Sequence, residues 1–437
     1  MDDNTNPKDI IERQIREIEG QIALLSEQKS RLLNQLSTDA SNVPAVTNPT
    51  PQNLTPDDKI KIFKSYFQGR EDVYAKRWCN SRTGKSGYSP ACKHEWARDI
   101  CSKPAIKCSD CPNRAFLSFD DIAIRQHLTG TQVIGAYPLL LDETCFFLAI
   151  DFDGKTWRED IFAVKHTCAE ANIPAAIERS RSGDGGHLWI FFADKIPAIT
   201  ARRLGSFLIT KTMSQRYQMD MKSYDRLFPN QDTLPKGGFG NLIALPFQKE
   251  AIANDNSVFI DDKAVPHPDQ WGYLASVQKM AIDEVKAIAE SAAKAGTILD
   301  VRRSPIDEQD EPWNRLPPGK SSPVVKIDNP PASIEAVLVN RIYIKTGQCP
   351  SVLLNRLKRL AAFQNPEFYK KQKMRFSTHA TPRVICCSEI VDDYLSLPRG
   401  CLDDLRTVLK AYHIGLKLKD ERSSGEVTDF TFHGKLT

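Results

Sequence analysis

Apolar side chains at Ile11, Ile15, Ile18, Ile22, Leu25, Leu32 and Leu36 recur at spacings that alternate between four and three, with Lys29 interrupting. That period predicts an amphipathic helix over residues 8–37, which either pairs as a short coiled coil or lies along the body of the protein. Pro44, Pro49, Pro51 and Pro56, among Ser, Thr and Asn, mark a linker. Phe63, Tyr66, Phe67, Arg70, Lys76 and Arg77 suggest a helix over 57–77, and a second helix is expected over 119–127. Then come a buried strand over 145–151, a helix over 157–172, strands over 174–179 and 187–193, a helix over 198–216 and a strand over 241–247. This β-α-β-β-α order predicts an α+β core whose central sheet carries an antiparallel hairpin, rather than a doubly wound parallel sheet. An Ala-rich helix is expected over 278–296 and a second linker over 300–328. The expected division is 1–37 (helix), 38–56 (linker), 57–118 (helical and cysteine-rich module), 119–275 (core), 276–335 (helix and linker) and 336–437 (basic C-terminal α/β domain).

A chain of 437 residues is long for a single core. Its formal charge of +4 says little about partners, so a nucleic-acid surface would have to come from local clustering. One such cluster is the stretch from Arg341 to Arg375, where nine Lys or Arg face the single acid Glu367, as a solvated helix face or a nucleic-acid surface. Neither a membrane-spanning apolar run nor a signal peptide is evident, so a cytoplasmic protein is expected, without a membrane partner. In that compartment the 11 cysteines are read as thiols or metal ligands.

The strand over 145–151 finishes on Asp151-Phe152-Asp153. Side chains two apart on a strand share a face, so both acids project together and Phe152 opposes them. Two carboxylates that close repel unless a cation lies between them, and a hard divalent ion suits oxygen donors and phosphate. The alternative is a strand running into an Asp-rich turn. Downstream, Glu178-Arg-Ser-Arg-Ser-Gly-Asp-Gly-Gly-His187 combines Arg179, Arg181 and Ser182 with glycines that let backbone N–H groups approach phosphate. His187 then opens the next strand, at the mouth of the same cleft if the strands are neighbours. A third carboxylate for a two-metal site could be Asp225 or Asp232, with Asp220 a weaker choice. The Gly-Lys-Ser triplets at 84–86 and 319–321 have Cys79 and Asn314 where a phosphate-binding P-loop needs its first Gly, so neither is one.

Cys92, Cys101, Cys108 and Cys111 lie within twenty residues, with Cys79 and His94 nearby. The C-x-x-C pair at 108–111 lets two thiolates approach one ion, which points to a structural Zn²⁺ site with four cysteine ligands. Lys85, Lys93, Arg98, Lys103, Lys107 and Arg114 around it would face DNA or RNA.

With these motifs in order, the chain resembles the archaeo-eukaryotic primase (primase–polymerase) superfamily. The matching elements are the acidic pair Asp151/Asp153, the Ser-Gly loop Ser182 to His187, and Asp225. More narrowly, Tyr88 to Cys92, Cys108 to Arg114, Glu178 to His187 and Asp225 to Leu245 look like the primase domain of TOTE conflict systems, over roughly residues 60–275. Met374 to His379, Pro382 to Ile385, Leu397 to Cys401 and Phe432 to Thr437 are similar to the segment that precedes a superfamily 2 helicase core in that family.

The resemblance implies an RRM-like mixed sheet and a template-dependent nucleotidyltransferase, in a conflict, defence or replication context. It also implies Asp151, Asp153 and Asp225 around two Mg²⁺ or Mn²⁺ ions. Arg179, Arg181, Ser182, Gly183 and His187, then Arg226, Asn230 and Lys236, would hold the nucleoside triphosphate. Expected partners are a single-stranded DNA or RNA template with its primer, NTP or dNTP, a helicase module in cis or in trans, and a second copy through the N-terminal helix. The competing functions are an inactive zinc-containing adaptor for nucleic acid and a metal-dependent nuclease.

Overall fold

The computed structural model describes residues 20, 54–295, 297–299, 301, 327, 329–423, 425 and 431. The expected N-terminal helix, most of both linkers and the closing segment Phe432 to Thr437 lie outside them. Residues Met1–Leu54 form one unit and Thr55–Thr437 another, and it is the second that carries the fold.

Helix α1 (Pro56–Tyr66) is started by Thr55, whose side chain and that of Asp58 cap one another's backbone N–H groups, with Pro56 in the first turn. It buries Ile60, Phe63 and Tyr66. The helix expected to run on to residue 77 stops here, because Arg70 N donates to the Tyr137 carbonyl at 2.9 Å and the chain turns into a strand. That strand, β1 (Ala75–Cys79), pairs with β2 (Ser86–Pro90) and β3 (Ile134–Ala136), and the short β8 (Ile243–Ala244) completes the sheet in the order β2-β1-β3-β8. Between β2 and β3 lie the cysteine-rich loops and α2 (Asp121–Thr129).

The central sheet has the order β7-β4-β6-β5-β9, with β4 at Thr144–Asp153, β5 at Ala176–Arg179, β6 at Gly185–Pro197, β7 at Leu227–Phe228 and β9 at Val258–Ile260. Every neighbouring pair is antiparallel. Helix α3 (Trp157–Glu170) carries the chain from β4 to β5, and β6 returns between them as the expected hairpin partner, a split βαβ unit. Helix α4 (Ala198–Gln215) follows β6 directly.

Period-two alternation divides this sheet between two cores. Leu148, Ile150, Phe152, Leu188, Ile190 and Ile177 face a cluster with Trp157, Ile161 and Val164 of α3 and Leu204 and Leu208 of α4. Phe147, Ala149, Ala176, Trp189 and Phe191 face the opposite cluster, with Phe63 and Phe67. Rings there meet edge to face, as Phe67 does on Trp189 at 5.0 Å. The strand expected over 241–247 shortens to β8. The Ala-rich helix begins at α7 (Ile282–Lys294), after the short helices α5 (Lys249–Ile252) and α6 (Gln270–Ser276).

The C-terminal part builds a sheet in the order β14-β15-β11-β10-β16, from Glu389–Val391, Tyr394–Pro398, Arg341–Lys345, Ser333–Leu338 and Gly415–Asp420. Only β10 and β16 are parallel. Helices α8 (Ser351–Leu360) and α10 (Leu402–Ala411) cover it. A second piece, the β12 (Ala362–Gln364) and β13 (Val384–Cys386) pair with α9 (Pro366–Lys373) between them, sits on the part built around the central sheet, where Ala362 and Val384 join its core. The basic run is therefore not one solvated surface. Lys358 donates to the Tyr217 and Met219 carbonyls at 2.7 and 3.1 Å, and buried Arg359 donates to the Leu299 carbonyl and to Tyr224 Oη.

His127 is fully buried on α2, with Nε2 2.7 Å from the Pro246 carbonyl and Nδ1 accepting from Ile134 N at 3.2 Å. Those partners require the neutral Nε2–H ring, and burial pushes its pKa down from 6.5 to about 4. Folded His127 resists a proton that the unfolded chain accepts below pH 6.5, so its contribution to stability is lost as pH falls through that window. Urea unfolding should show about 2 kcal/mol lost between pH 7 and pH 5 from this group. His127→Gln should flatten that slope, and an unchanged slope would contradict the assignment.

Candidate functional site

The end of β4 lies beside the start of β6, with Asp151 opposite His187 and Asp153 opposite Gly185. Across the next pair, Glu178 of β5 also lies opposite His187. Asp151, His187 and Glu178 thus form a row across three strands, on the face that carries Ala149, Trp189 and Ala176. Phe152 is buried on the helical face, so the two acids project together away from α3.

The glycines before His187 are required sterically. A Cβ on Gly185 would lie 2.7 Å from the Phe152 carbonyl and 2.9 Å from Asp153 Oδ1, and one on Gly186 would strike the Trp157 ring at 2.8 Å. Gly183 turns the loop with φ of +82°.

Electrostatics hold the row together. Arg226 Nη1 lies 2.9 Å from Asp151 Oδ2 and 2.6 Å from Asp153 Oδ2, bridging the carboxylates with one cationic nitrogen. Arg226 is placed by its own backbone, because its carbonyl accepts from Asp151 N at 3.0 Å as β7 begins. Burial raises the Asp151 pKa and Asp153 adds to the rise, while His187 and Arg226 oppose it. His187 Nδ1 lies 2.9 Å from Glu178 Oε2, and Nε2 lies 3.6 Å from Asp151 Oδ1. Burial works against a charged imidazole, but the carboxylates of Glu178, Asp151 and Asp153 overcome it and hold the His187 pKa above its ordinary value. Glu178 also accepts from Trp189 Nε1 at 3.0 Å, which fixes the carboxylate that orients the imidazole.

The other candidates scatter. Arg179 gives its guanidinium to the Asp255 and Ala264 carbonyls at 3.0 and 2.5 Å, fastening the sheet edge rather than facing the acids. Arg181 approaches Glu250 at 3.8 Å, and Ser182 Oγ stays within its own loop, accepting from Asp184 N at 3.3 Å. Lys236 is exposed, with its backbone N–H on the Arg375 carbonyl. Asp225 ends a 3₁₀ turn (Met221–Asp225) one residue before Arg226, and its Oδ1 accepts from Arg383 N at 2.7 Å. Burial raises its pKa and the Arg383 N–H opposes that. Asp232 is committed elsewhere, buried against Arg202 with Nη2–Oδ2 at 2.9 Å, and Asp220 caps the 3₁₀ turn. Among the described residues no three His, Cys, Asp or Glu side chains are grouped so as to hold one metal ion, so Asp225 is not gathered with the acidic pair.

Comparison with known families decides what this constellation belongs to. The TOTE conflict system, Archaeo-Eukaryotic Primase domain matches residues 58–288. The chain belongs to this family. None of the curated proteins matches it. Among solved structures, the polymerase domain from Mycobacterium tuberculosis Ligase D in complex with DNA is similar at 14% identity and a TM-score of 0.28, covering 56% of this chain and 91% of that one.

In this primase domain the cysteine module lies between β2 and α2. Cys92, Cys101, Cys108 and Cys111 all line one cavity of about 20 Å³, whereas Cys79 is exposed on β1 and His94 turns Nδ1 to the Asn113 carbonyl at 2.8 Å. Lys103 pairs with Glu95 at 2.8 Å and lies over the exposed Trp96 ring. Two features of this constellation are not evident from the sequence. Glu178 shares its strand face with Ala176, a parity that could have revealed it. Arg383 comes from the C-terminal part, and no local signal announces that contact.

Proposed function

We propose that the protein is a template-dependent nucleotidyltransferase, a primase–polymerase that joins nucleoside triphosphates through Asp151 and Asp153. One observation carries the reading: two carboxylates on one sheet face are bridged by a single Arg226 nitrogen, with the His187 imidazole alongside. A cation already satisfies this pair in the guanidinium, and the oxygen donors of Asp151 and Asp153 are of the kind that suits Mg²⁺ or Mn²⁺. Such ions, when bound, lower the pKa of an attacking hydroxyl and offset charge on the leaving pyrophosphate.

The chain's own groups supply the rest. Arg226, freed from the acids, offers its guanidinium to phosphate oxygens. His187, oriented by Glu178 and with its protonated form favoured by the neighbouring carboxylates, donates from Nε2 to the triphosphate. The loop Ser180–Gly185 offers backbone N–H groups that glycine leaves accessible. Arg181 stands at the edge of that loop, and Arg179 acts by bracing it.

The cysteine module would hold Zn²⁺ if its four soft thiols, which line one cavity without being grouped at a single point, closed on the ion. Exposed Trp78 and Trp96 among Lys85, Lys93 and Arg98 offer stacking and charge to a single-stranded template. A helicase in cis or in trans would supply unwound template. Metal analysis should find one zinc per chain, and Cys108→Ser should release it, lower the melting temperature and weaken template binding. Cys79→Ser should do none of these. A zinc-free wild-type protein would overturn the module's assignment.

The function is tested by incubating the protein with single-stranded template without primer, supplying dNTPs and NTPs separately under Mg²⁺ and Mn²⁺. Labelled oligonucleotide products are expected in at least one mixture. Template binding with no incorporation in any mixture would favour the adaptor instead.

A further inference from the structure

Beside the acidic pair, a cavity of about 400 Å³ opens between two stretches far apart in the chain. One wall carries Lys222, Arg226 and Asn230, and the other carries Thr378, His379 and Thr381, beyond the family's matched residues 58–288. The second wall is firmly attached. Arg383 is fully buried, donates from its backbone N to Asp225 Oδ1 at 2.7 Å and from Nη2 to the Asn230 carbonyl, and lies 4.2 Å over the Phe368 ring. Gln372 of α9 exchanges hydrogen bonds with Asp232, at 2.9 Å from its Nε2 and 3.2 Å to its Oε1.

The cavity mixes polar and apolar lining, with Phe368 and Pro382 beside Asp225 and Thr378, and its polar part is unfinished. Thr378 is 3% exposed, and both its Oγ1 and the Asn230 Oδ1 are buried without a hydrogen-bond partner. Buried polar atoms left so are costly unless a guest completes them. The size falls within the range of small-molecule sites, roughly 300–1,000 Å³. Its cations, Lys222 and Arg226, belong to the wall that adjoins Asp151 and Asp153. Its orphan hydroxyl and amide oxygen call for a guest bearing donors and acceptors, such as a sugar hydroxyl.

Building on the nucleotidyl-transfer reading, we propose that this cavity is the nucleotide subsite and that the C-terminal segment forms half of it. The sugar–base end of the incoming nucleoside triphosphate lies against Thr378, His379 and Asn230, and its phosphates extend past Lys222 and Arg226 toward the acids. The segment from Pro366 to Arg383 is thereby part of the primase active site, not an accessory to it.

The test uses the full chain with Thr378→Val, which removes the hydroxyl at nearly constant shape, and with the Thr378→Val/His379→Ala double variant. The KM for nucleotide should rise about tenfold with kcat changed less than about threefold, as expected for lost ground-state contacts. Affinity for a labelled template should stay as in the wild type, melting temperature should be retained, and Thr378→Ser should restore the KM. Binding of a fluorescent ATP analogue, which needs no turnover, should weaken in parallel. If the wild type incorporates nothing yet binds the analogue through Thr378, nucleotidyl transfer fails and the subsite stands. Unchanged analogue binding and KM, or a loss confined to template affinity, would overturn the subsite.

Discussion

Asp153→Asn and Asp151→Asn are each expected to cut nucleotide incorporation by about 10³-fold or more, with folding and template binding retained. The size follows from the charge these groups control: metal-assisted stabilisation at the transition state is worth several kcal/mol, and about 4 kcal/mol corresponds to three decades of rate. Folding should survive because the native site already suffers from the paired charges. Asp153 is half exposed, and burial together with the Asp153 charge lifts the Asp151 pKa. Taking one charge away relieves repulsion, and Arg226 keeps the remaining carboxylate as a partner. Single-turnover incorporation and thermal melting on the same preparations separate the two effects. An Asn variant that extends primers at close to the wild-type rate would remove Asp151 and Asp153 from the chemistry.

Asp232→Ala is expected to destabilise the protein by about 3–5 kcal/mol, the range for breaking a buried ion pair from one side. Asp232 and Arg202 are both buried, and Gln372 of α9 completes the cluster. Burial alone would raise the Asp232 pKa, but Arg202 holds it below the ordinary carboxylate value, so the carboxylate stays charged. Removing it takes a carboxylate partner from the buried guanidinium of Arg202 and loosens α9 from the strand-linking segment beneath. Urea denaturation should show a lower midpoint with an unchanged m-value. A change under about 1 kcal/mol would mean that the cluster relaxes without cost.

The parts of this fold that could be read in advance are those whose contacts are local in sequence. β4 through α4 follow one another with clear periodicity, and the acids and His187 are separated by one helix and one hairpin, so their meeting could be anticipated. Three things could not. Arg226 sits in a turn, where side chains have no strand parity, so its seat between the acids leaves no trace in the sequence pattern. Asp232 is as acidic in sequence as Asp225, and only its burial against Arg202 removes it from consideration as a ligand. The C-terminal wall depends on contacts such as Arg383 to Asp225, 158 residues apart, for which one sequence holds no pattern. The basic run misled in a related way, since charge counts do not distinguish the buried Lys358 and Arg359 from solvated neighbours.

Primer extension with simultaneous measurement of pyrophosphate tests nucleotidyl transfer at Asp151 and Asp153 most directly. On a primed template with Mg²⁺ or Mn²⁺, the wild-type chain should lengthen the primer and release one pyrophosphate per nucleotide added, and Asp151→Asn should do neither. A primer that shortens, or one left unchanged in every mixture while the template is bound, would contradict it.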